Sequence, residues 1–517
     1  MRKRNDQKVI FKTYQQAQVM LLPPSLDELI VSRHPVRIVN EVLNKIDISP
    51  LIKQYRPGGT SSYHPLILLK VLVYGYINNI YSSRKIEEAL QQNIHFMWLA
   101  GMSKPDHNTI NRFRSERLKE PLRKIFVQVV QLLATEGLLS IKELYTDGTK
   151  IEANANRYTF VWGNAIKTNK EKMKQQLDGL WKYAQGIAAS ELEDTDPDGF
   201  DKIDPEKVKQ TIEKIDAALK DKPVSKEVKQ KLNYAKKHWP AALHRYERQE
   251  KIIGDSRNSR SSYSKTDEDA TFMRMKEDHM RNGQLKPAYN LQVSSNNQYI
   301  TNYSLHQNTT DTNTLISHLE QFKAHYQQTP EVVTADAGYG SEENYQYLEQ
   351  NNIEAYVKYN LFDREQNKTI QSKKSFTADK LYYNKEQDYY VCPMGQPMRN
   401  AGTYTKATTT GFPQQVTKYQ AINCSNCPLN GVCHKSKGNR VMEVNHNLNR
   451  HKAISKQKLE SETGIYHRKK RCADVEPVFA NIKNNHYFKR FRLRGLEKVS
   501  VEAGLLALAH NLRKRAA

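Results

Sequence analysis

Three acidic side chains stand in settings that could bring them to one point. Asp147 lies in KELYTDGTKIEAN, Asp336 in PEVVTADAGYG and Glu476 in DVEPVFANIK. Each aspartate closes a β-branched or aromatic run and has a glycine within two residues, so each reads as a carboxylate at a strand end. Glu476 lies on an apolar-periodic stretch that reads as helix. Ionised carboxylates repel at close range and stay together only around hard divalent cations, of which Mg²⁺ is the usual one where phosphate oxygens complete the shell. The chemistry predicted is metal-dependent attack on phosphodiesters. Two Mg²⁺ ions about 3.5–4 Å apart, or Mn²⁺ in their place, activate a water for in-line attack and stabilise the departing 3′ oxygen; a freed 3′-OH in place of water joins strands instead. Asp147 is expected to bridge the ions, with Asp336 and Glu476 each holding one. Lys150 follows Asp147 on its strand and Lys483 follows Glu476 by two helical turns, so both could hold phosphates beside the metals. The bland reading of each acid is a turn residue or a solvated helix charge. Glu152, Glu342, Glu343, Glu497 and Glu502 are rivals, and Glu497, after the basic FRLRG turn, reads as a salt-bridging residue.

Charge agrees with a polyanionic partner. The 517 residues carry a formal net charge of +24, which favours nucleic acid through phosphate neutralisation and counterion release. Residues 466–515 hold 13 Lys/Arg against 4 Asp/Glu, so the excess surrounds Glu476. The N-terminal MRKRNDQKVIF is basic without an apolar segment after it, and LILLKVLVYGYI is short and broken by Lys70. A soluble intracellular protein is expected, and five cysteines grouped late in the chain do not form an extracellular disulfide framework.

The elements that must position the acids follow from periodicity. Residues 25–140 read as helical, and Arg84 to Arg117 has a helix-turn-helix layout: an amphipathic helix, a turn at Gly101 to Pro105, and a polar helix presenting Asn108, Asn111, Arg112 and Arg114 to DNA. From Leu138 the pattern turns to β. Strand 144–151, a hairpin over 287–306 turning at SSNNQ, a helix in DTNTLISHLEQFKAHY, strand EVVTADAG, helix SEENYQYLEQNN, strand IEAYVKY and a closing helix 466–485 with Val475, Val478, Phe479 and Ile482 on its apolar face give the order βββαβαβα. That order is similar to the ribonuclease H fold, whose first strand, fourth strand and last helix carry metal carboxylates. The fold class expected is mixed α+β and α/β, multidomain. It comprises a helical DNA-binding domain over 1–137, a ribonuclease H-like core from 138–154, 287–361 and 466–517, and insertions at 155–286 and 362–465.

The first insertion is Lys/Glu-rich and helical, then passes through a flexible Ser/Arg tract, with Asp267 and Asp269 just before the return to the sheet. The second holds Cys392, Cys424, Cys427 and Cys433, where CxxC followed by Pro is a half-site for tetrahedral Zn²⁺ and His434 is a competing ligand. A structural zinc ribbon and four reduced thiols are the two readings. Cys472, on the Glu476 helix, reads as a packing residue.

The chain resembles the DDE transposases of bacterial insertion sequences, in the branch with a helical N-terminal domain and a cysteine-containing insertion before the catalytic glutamate. HPLILLKVLVYGYINNIYSSRKIEEAL and PDHNTINRFR are similar to the N-terminal domain, DGTKIEANA and TADAGYGSEEN to the first two acidic motifs, and VEPVFANIKNN with FRLRGLEKV to the third. The resemblance implies that Asp147, Asp336 and Glu476 form the catalytic triad. It also implies that Lys483, seven residues after Glu476, fills the lysine position of the family's Tyr/Arg/Glu/Lys signature. The arginine position, four residues before Glu476, is Cys472 here, with Arg471 one residue earlier as a DNA contact. The implied activity is binding of inverted-repeat ends, their cleavage and the joining of 3′ ends to target DNA, by a homodimer on double-stranded DNA in the bacterial cytoplasm at the nucleoid. The alternative is a catalytically inactive or domesticated DNA-binding regulator of the same descent. A host ribonuclease H or Holliday-junction nuclease is a weaker third reading, because neither needs the helical N-terminal domain.

Overall fold

Two His-Pro dipeptides start the first long helices, Pro35–Asn44 and Pro65–Ile77. His34 and His64 each accept the N–H two residues on, Val36 at 3.2 Å and Leu66 at 3.3 Å, while the prolines occupy first-turn positions where no donor is needed. Helix Pro65–Ile77 is buried along almost its whole length. Its Lys70 is accommodated because Nζ donates at 2.7 Å to both Asn40 and Asn44. The computed structural model describes residues 25–55, 62–188, 204–254, 260–275, 283–366 and 376–517. The N-terminal MRKRNDQKVIF and part of the Ser/Arg tract lie outside the described residues.

The central sheet is mixed. Its strands are β1 (Glu143–Glu152), β4 (Thr271–Arg274), β5 (Leu285–Asn296), β6 (Tyr299–His306), β7 (Val332–Ala335) and β8 (Glu354–Val357); β2 (Phe160–Trp162) and β3 (Ser262–Ser264) pair separately. The order is β4-β5-β1-β7-β8, with β6 also on β5. β5 runs antiparallel to β1, β4 and β6, while β7 runs parallel to β1 and β8. The β5–β6 turn is two residues, Asn297 and Gln298, at φ 50° and 61°, the left-handed pair that suits the twist of a tight hairpin.

Several expectations are corrected. Asp147 lies within β1 rather than at its end, because β1 continues to Glu152 against β5 after its pairing with β7 has stopped at Thr146. The stretch before residue 287, read as a loop, contributes β3 and β4. The second insertion carries a five-stranded antiparallel sheet of β9 (Tyr383–Asn384), β10 (Tyr389–Val391), β11 (Pro397–Ala407), β12 (Pro413–Ala421) and β13 (Val441–Val444), whose longest strand, β11, is exposed on both faces over most of its length and shows no apolar–polar alternation there.

The helices of residues 35–135 do not have a core of their own. Val36, Leu69 and Leu72 share one continuous cluster with Leu291 and Val333 of the sheet and with Leu505 and Leu508 of the last helix, Leu496–Ala516. Glu502 on that helix is fully buried; it accepts from Tyr76 at 3.1 Å and from the N–H groups of Arg492 and Leu493. The helical insertion (Gly163–Ile187, Pro205–Ala218, Lys226–Ile253) and the five-stranded sheet bury separate clusters.

Candidate active site

Sheet register brings the two aspartates together. Thr146 of β1 pairs with Ala335 of β7 in parallel, so Asp147 and Asp336 are the next residues on neighbouring strands. At β7's end Asp336 Oδ1 accepts Gly338 N–H at 2.8 Å and opens a short 3₁₀ turn, Ala337–Tyr339. Asp147 Oδ1 accepts Gly148 N–H at 2.7 Å.

Glu476 comes from helix Glu462–Ala480, and the β5–β6 turn fixes where that helix crosses the sheet. Asp474, buried, accepts Asn297 N–H at 3.0 Å and also that of Gln298. Pro477 inside the helix has no N–H to give the Ala473 carbonyl, and Gln298 Nε2 supplies one at 3.0 Å. Past Ala480 the helix widens into a π turn, Asn481–Asn485. Asp147, Lys150, Glu476 and Lys483 then line one cavity of about 420 Å³, together with Asn290 and Asp311. Asp336 adjoins Asp147 without lining this cavity.

Burial, and then the charge of Asp336, push the Asp147 carboxyl up to about 6. Arg471 opposes the shift: its Nη1 donates to Asp147 Oδ2 at 2.9 Å, between side chains only 10% and 20% exposed. Arg471 was expected to meet DNA; in the fold it is buried and pairs with Asp147. Cys472, expected to pack, is exposed.

The rival acids have other partners. Glu152 pairs with Arg157 at 2.8 Å, Glu497 with Lys119 at 2.8 Å, Glu342 accepts from Asn445 and Asn447, and Glu343 from Thr410. Asp267 and Asp269 accept the N–H groups of Gly495 and Leu496, holding the start of the last helix. Sequence reasoning passed over Asp311: a polar residue in HQNTTDTNTL, before a helix, carries no spacing signal that separates it from a turn aspartate.

The polar helix His107–Arg112 starts at Asp106, whose Oδ1 accepts Thr109 N–H at 2.9 Å. Asn108, Asn111 and Arg112 are exposed, and Arg112 borders a cleft of about 270 Å³ with Tyr55, Tyr63 and Arg117. Arg114 is the exception to the expected DNA face. It is 4% exposed and donates to Tyr81 O at 2.7 Å and Asn111 Oδ1 at 3.2 Å, because two residues along a helix turn a side chain to the opposite face.

Cys392, Cys424, Cys427 and Cys433 share a small cavity of about 20 Å³ with His434 and Arg440. Arg440 Nη1 donates to Cys433 Sγ at 2.9 Å, and the N–H groups of Gln396 and Arg440 donate to Cys392 and Cys424 Sγ at 3.3 and 3.4 Å. Among the described residues no group of three or more His, Cys, Asp or Glu stands at metal-holding spacing, in this insertion or at Asp147.

The family described as Transposase DDE domain matches residues 391–516, which include Glu476 and the four insertion cysteines. The family described as Transposase domain (DUF772) matches residues 24–116, the N-terminal helices. Together they support a DDE transposase of insertion-sequence type. DNA is the partner on which such families act. No curated protein and no solved structure matches the chain. Among the described residues no helix is long and apolar enough to cross a membrane.

Proposed function

We propose that this transposase binds the inverted-repeat ends of its element as a homodimer, cleaves them by Mg²⁺-dependent phosphodiester hydrolysis and joins the 3′ ends to target DNA, with Asp147, Asp336 and Glu476 as the triad. The observation that carries the proposal is the single cavity shared by Asp147 and Glu476 with Lys150 and Lys483, beside which the β1–β7 register sets Asp336. A ribonuclease H-like core is the fold reading this strand order supports best.

The donor set is one of hard carboxylate oxygens: Asp336 and Asp311 lie close enough to Asp147 to raise its proton affinity, and one guanidinium balances it. Asp147, Asp336 and Glu476 would hold the ions once Arg471 gives up Asp147 Oδ2. When bound, the ions supply Lewis-acid activation of the attacking oxygen. Lys150 and Lys483, which line the same cavity, orient the scissile phosphate. The exposed Asn108, Asn111 and Arg112 are proposed to contact the ends, and the four insertion thiols to hold a structural Zn²⁺, with Arg440 yielding Cys433.

The test is cleavage of labelled end DNA beside a gel shift. Asp147→Asn, Asp336→Asn and Glu476→Gln should each lower cleavage by several orders of magnitude while end binding persists. Wild-type cleavage in any one of them removes that residue from the triad.

A further inference from the structure

The two glycines that follow the paired aspartates share one neighbour. A Cβ added to Gly148 would lie 2.4 Å from Gln292 Nε2 and 2.6 Å from Asp311 Oδ1, and one added to Gly338 would lie 3.7 Å from Asp311 Oδ2. The Asp311 carboxylate therefore sits between the backbones that carry Asp147 and Asp336, and it reaches that place because Gly148 has no side chain, while Gly338 lies at ordinary contact distance from it. It lines the same cavity as Asp147 and Glu476.

The carboxylate is held from one side. Asn290 Nδ2 and Gln292 Nε2, both from β5, donate to Oδ1 at 2.7 and 2.9 Å. Gln292 is itself fixed, fully buried, by the Tyr339 hydroxyl at its Oε1 and by Asn290 Oδ1 at 3.0 Å from its Nε2. Asp311, Asp147 and Asp336 all act on that buried Tyr339 hydroxyl, which burial first and then these charges hold well above the usual phenol range. Two amide donors on one oxygen orient the carboxylate. Oδ2 accepts no hydrogen bond from the described residues.

We propose that Asp311 is a fourth acidic residue of the active site, a positioning residue that orients a divalent cation at Asp147 by accepting a hydrogen bond at Oδ2 from a water of that cation's shell. Mg²⁺ keeps several of its waters in protein sites, so a fixed carboxylate beside a coordinating one has a ready partner. The inference rests on the proposed reading of Asp147 as a cation ligand.

Asp311→Asn keeps an oxygen for Asn290 and Gln292 and replaces only the oxygen facing the cation. Gly148→Ala leaves the charge in place but pushes the carboxylate away. Both should raise the Mg²⁺ concentration needed for half-maximal end cleavage about 10–100-fold with end affinity unchanged; Asp311→Asn should also keep the melting temperature, whereas the Cβ of Gly148→Ala presses on the buried Gln292 amide and lowers it. Asp147→Asn is run beside them. If it is inactive while Asp311→Asn keeps the wild-type Mg²⁺ midpoint and rate, the role of Asp311 is overturned and the site reading stands. If Asp311→Asn cleaves poorly at every Mg²⁺ concentration and melts early, its role is structural and the inference is again overturned. If Asp147→Asn cleaves normally, the site reading fails and the inference with it.

Discussion

Neutralising Asp147 should make the metal-free protein more stable and, at the same time, inactive. The carboxyl is raised from 3.8 to about 6 by burial and by Asp336, after Arg471 has pulled it back. One unit corresponds to 1.36 kcal/mol, so keeping Asp147 ionised at pH 8 costs the fold about 3 kcal/mol. The sign follows from the direction of the shift: a carboxyl raised in the folded state binds its proton more tightly there. Stability is full below pH 3.8 and is lost as the pH climbs toward 6. Asparagine carries no charge at any pH and keeps its one oxygen for Gly148 N–H, giving up the contact that Arg471 makes to Oδ2. Urea unfolding in EDTA should show Asp147→Asn more stable than wild type by about 3 kcal/mol at pH 8, the gap closing toward pH 4. Added Mg²⁺ should stabilise the wild type and leave the variant unmoved. A variant less stable at pH 8, or a gap that does not change with pH, would refute the reasoning, because either result means Asp147 is not held against its own charge.

Two arginines on one polar segment should separate cleanly. Arg112→Ala should weaken end binding and flatten its dependence on log salt by about one unit with little change in stability, whereas Arg114→Ala should destabilise the fold by about 3 kcal/mol and leave the salt slope alone; slope and unfolding free energy measured for both decide it. Elemental analysis should find about one zinc per chain, and Cys424→Ser with Cys427→Ser should make residues 362–465 protease-sensitive without altering Mg²⁺-dependent cleavage; zinc-free protein with equally resistant insertions would return the cysteines to plain thiols. Burial holds His510 and His486 down to about 4, and both pack near Arg513. Their stability contribution is full above pH 6.5 and is lost as the pH falls toward 4, about 3 kcal/mol for each group. His510→Gln should lessen the acid-side slope of the unfolding free energy, and an unchanged slope would rule out His510 as its source.

The sequence by itself determined what depends on neighbours in the chain. The His-Pro helix starts, the hairpin at Asn297–Gln298, the apolar stripe of Val475, Val478 and Ile482 and the order of strands and helices around the three acids all follow from local caps, turns and periodicity. Tertiary structure alone decided what depends on partners hundreds of residues away. Arg112 and Arg114 are the same residue type two positions apart, and only packing against Tyr76 and Tyr81 buries the second. Arg471 could be read as a phosphate contact until the helix crossing set it on Asp147, 324 residues earlier. Asp311 is recruited by the amides of Asn290 and Gln292 on β5 and by the space that Gly148 leaves on β1, a convergence that no spacing encodes. The five-stranded insertion went unread because its longest strand, β11, is exposed on both faces over most of its length and so lacks the alternation that marks a half-buried strand. Local rules state which backbone forms; a side chain's role is fixed by the field and contacts that the assembled chain places around it.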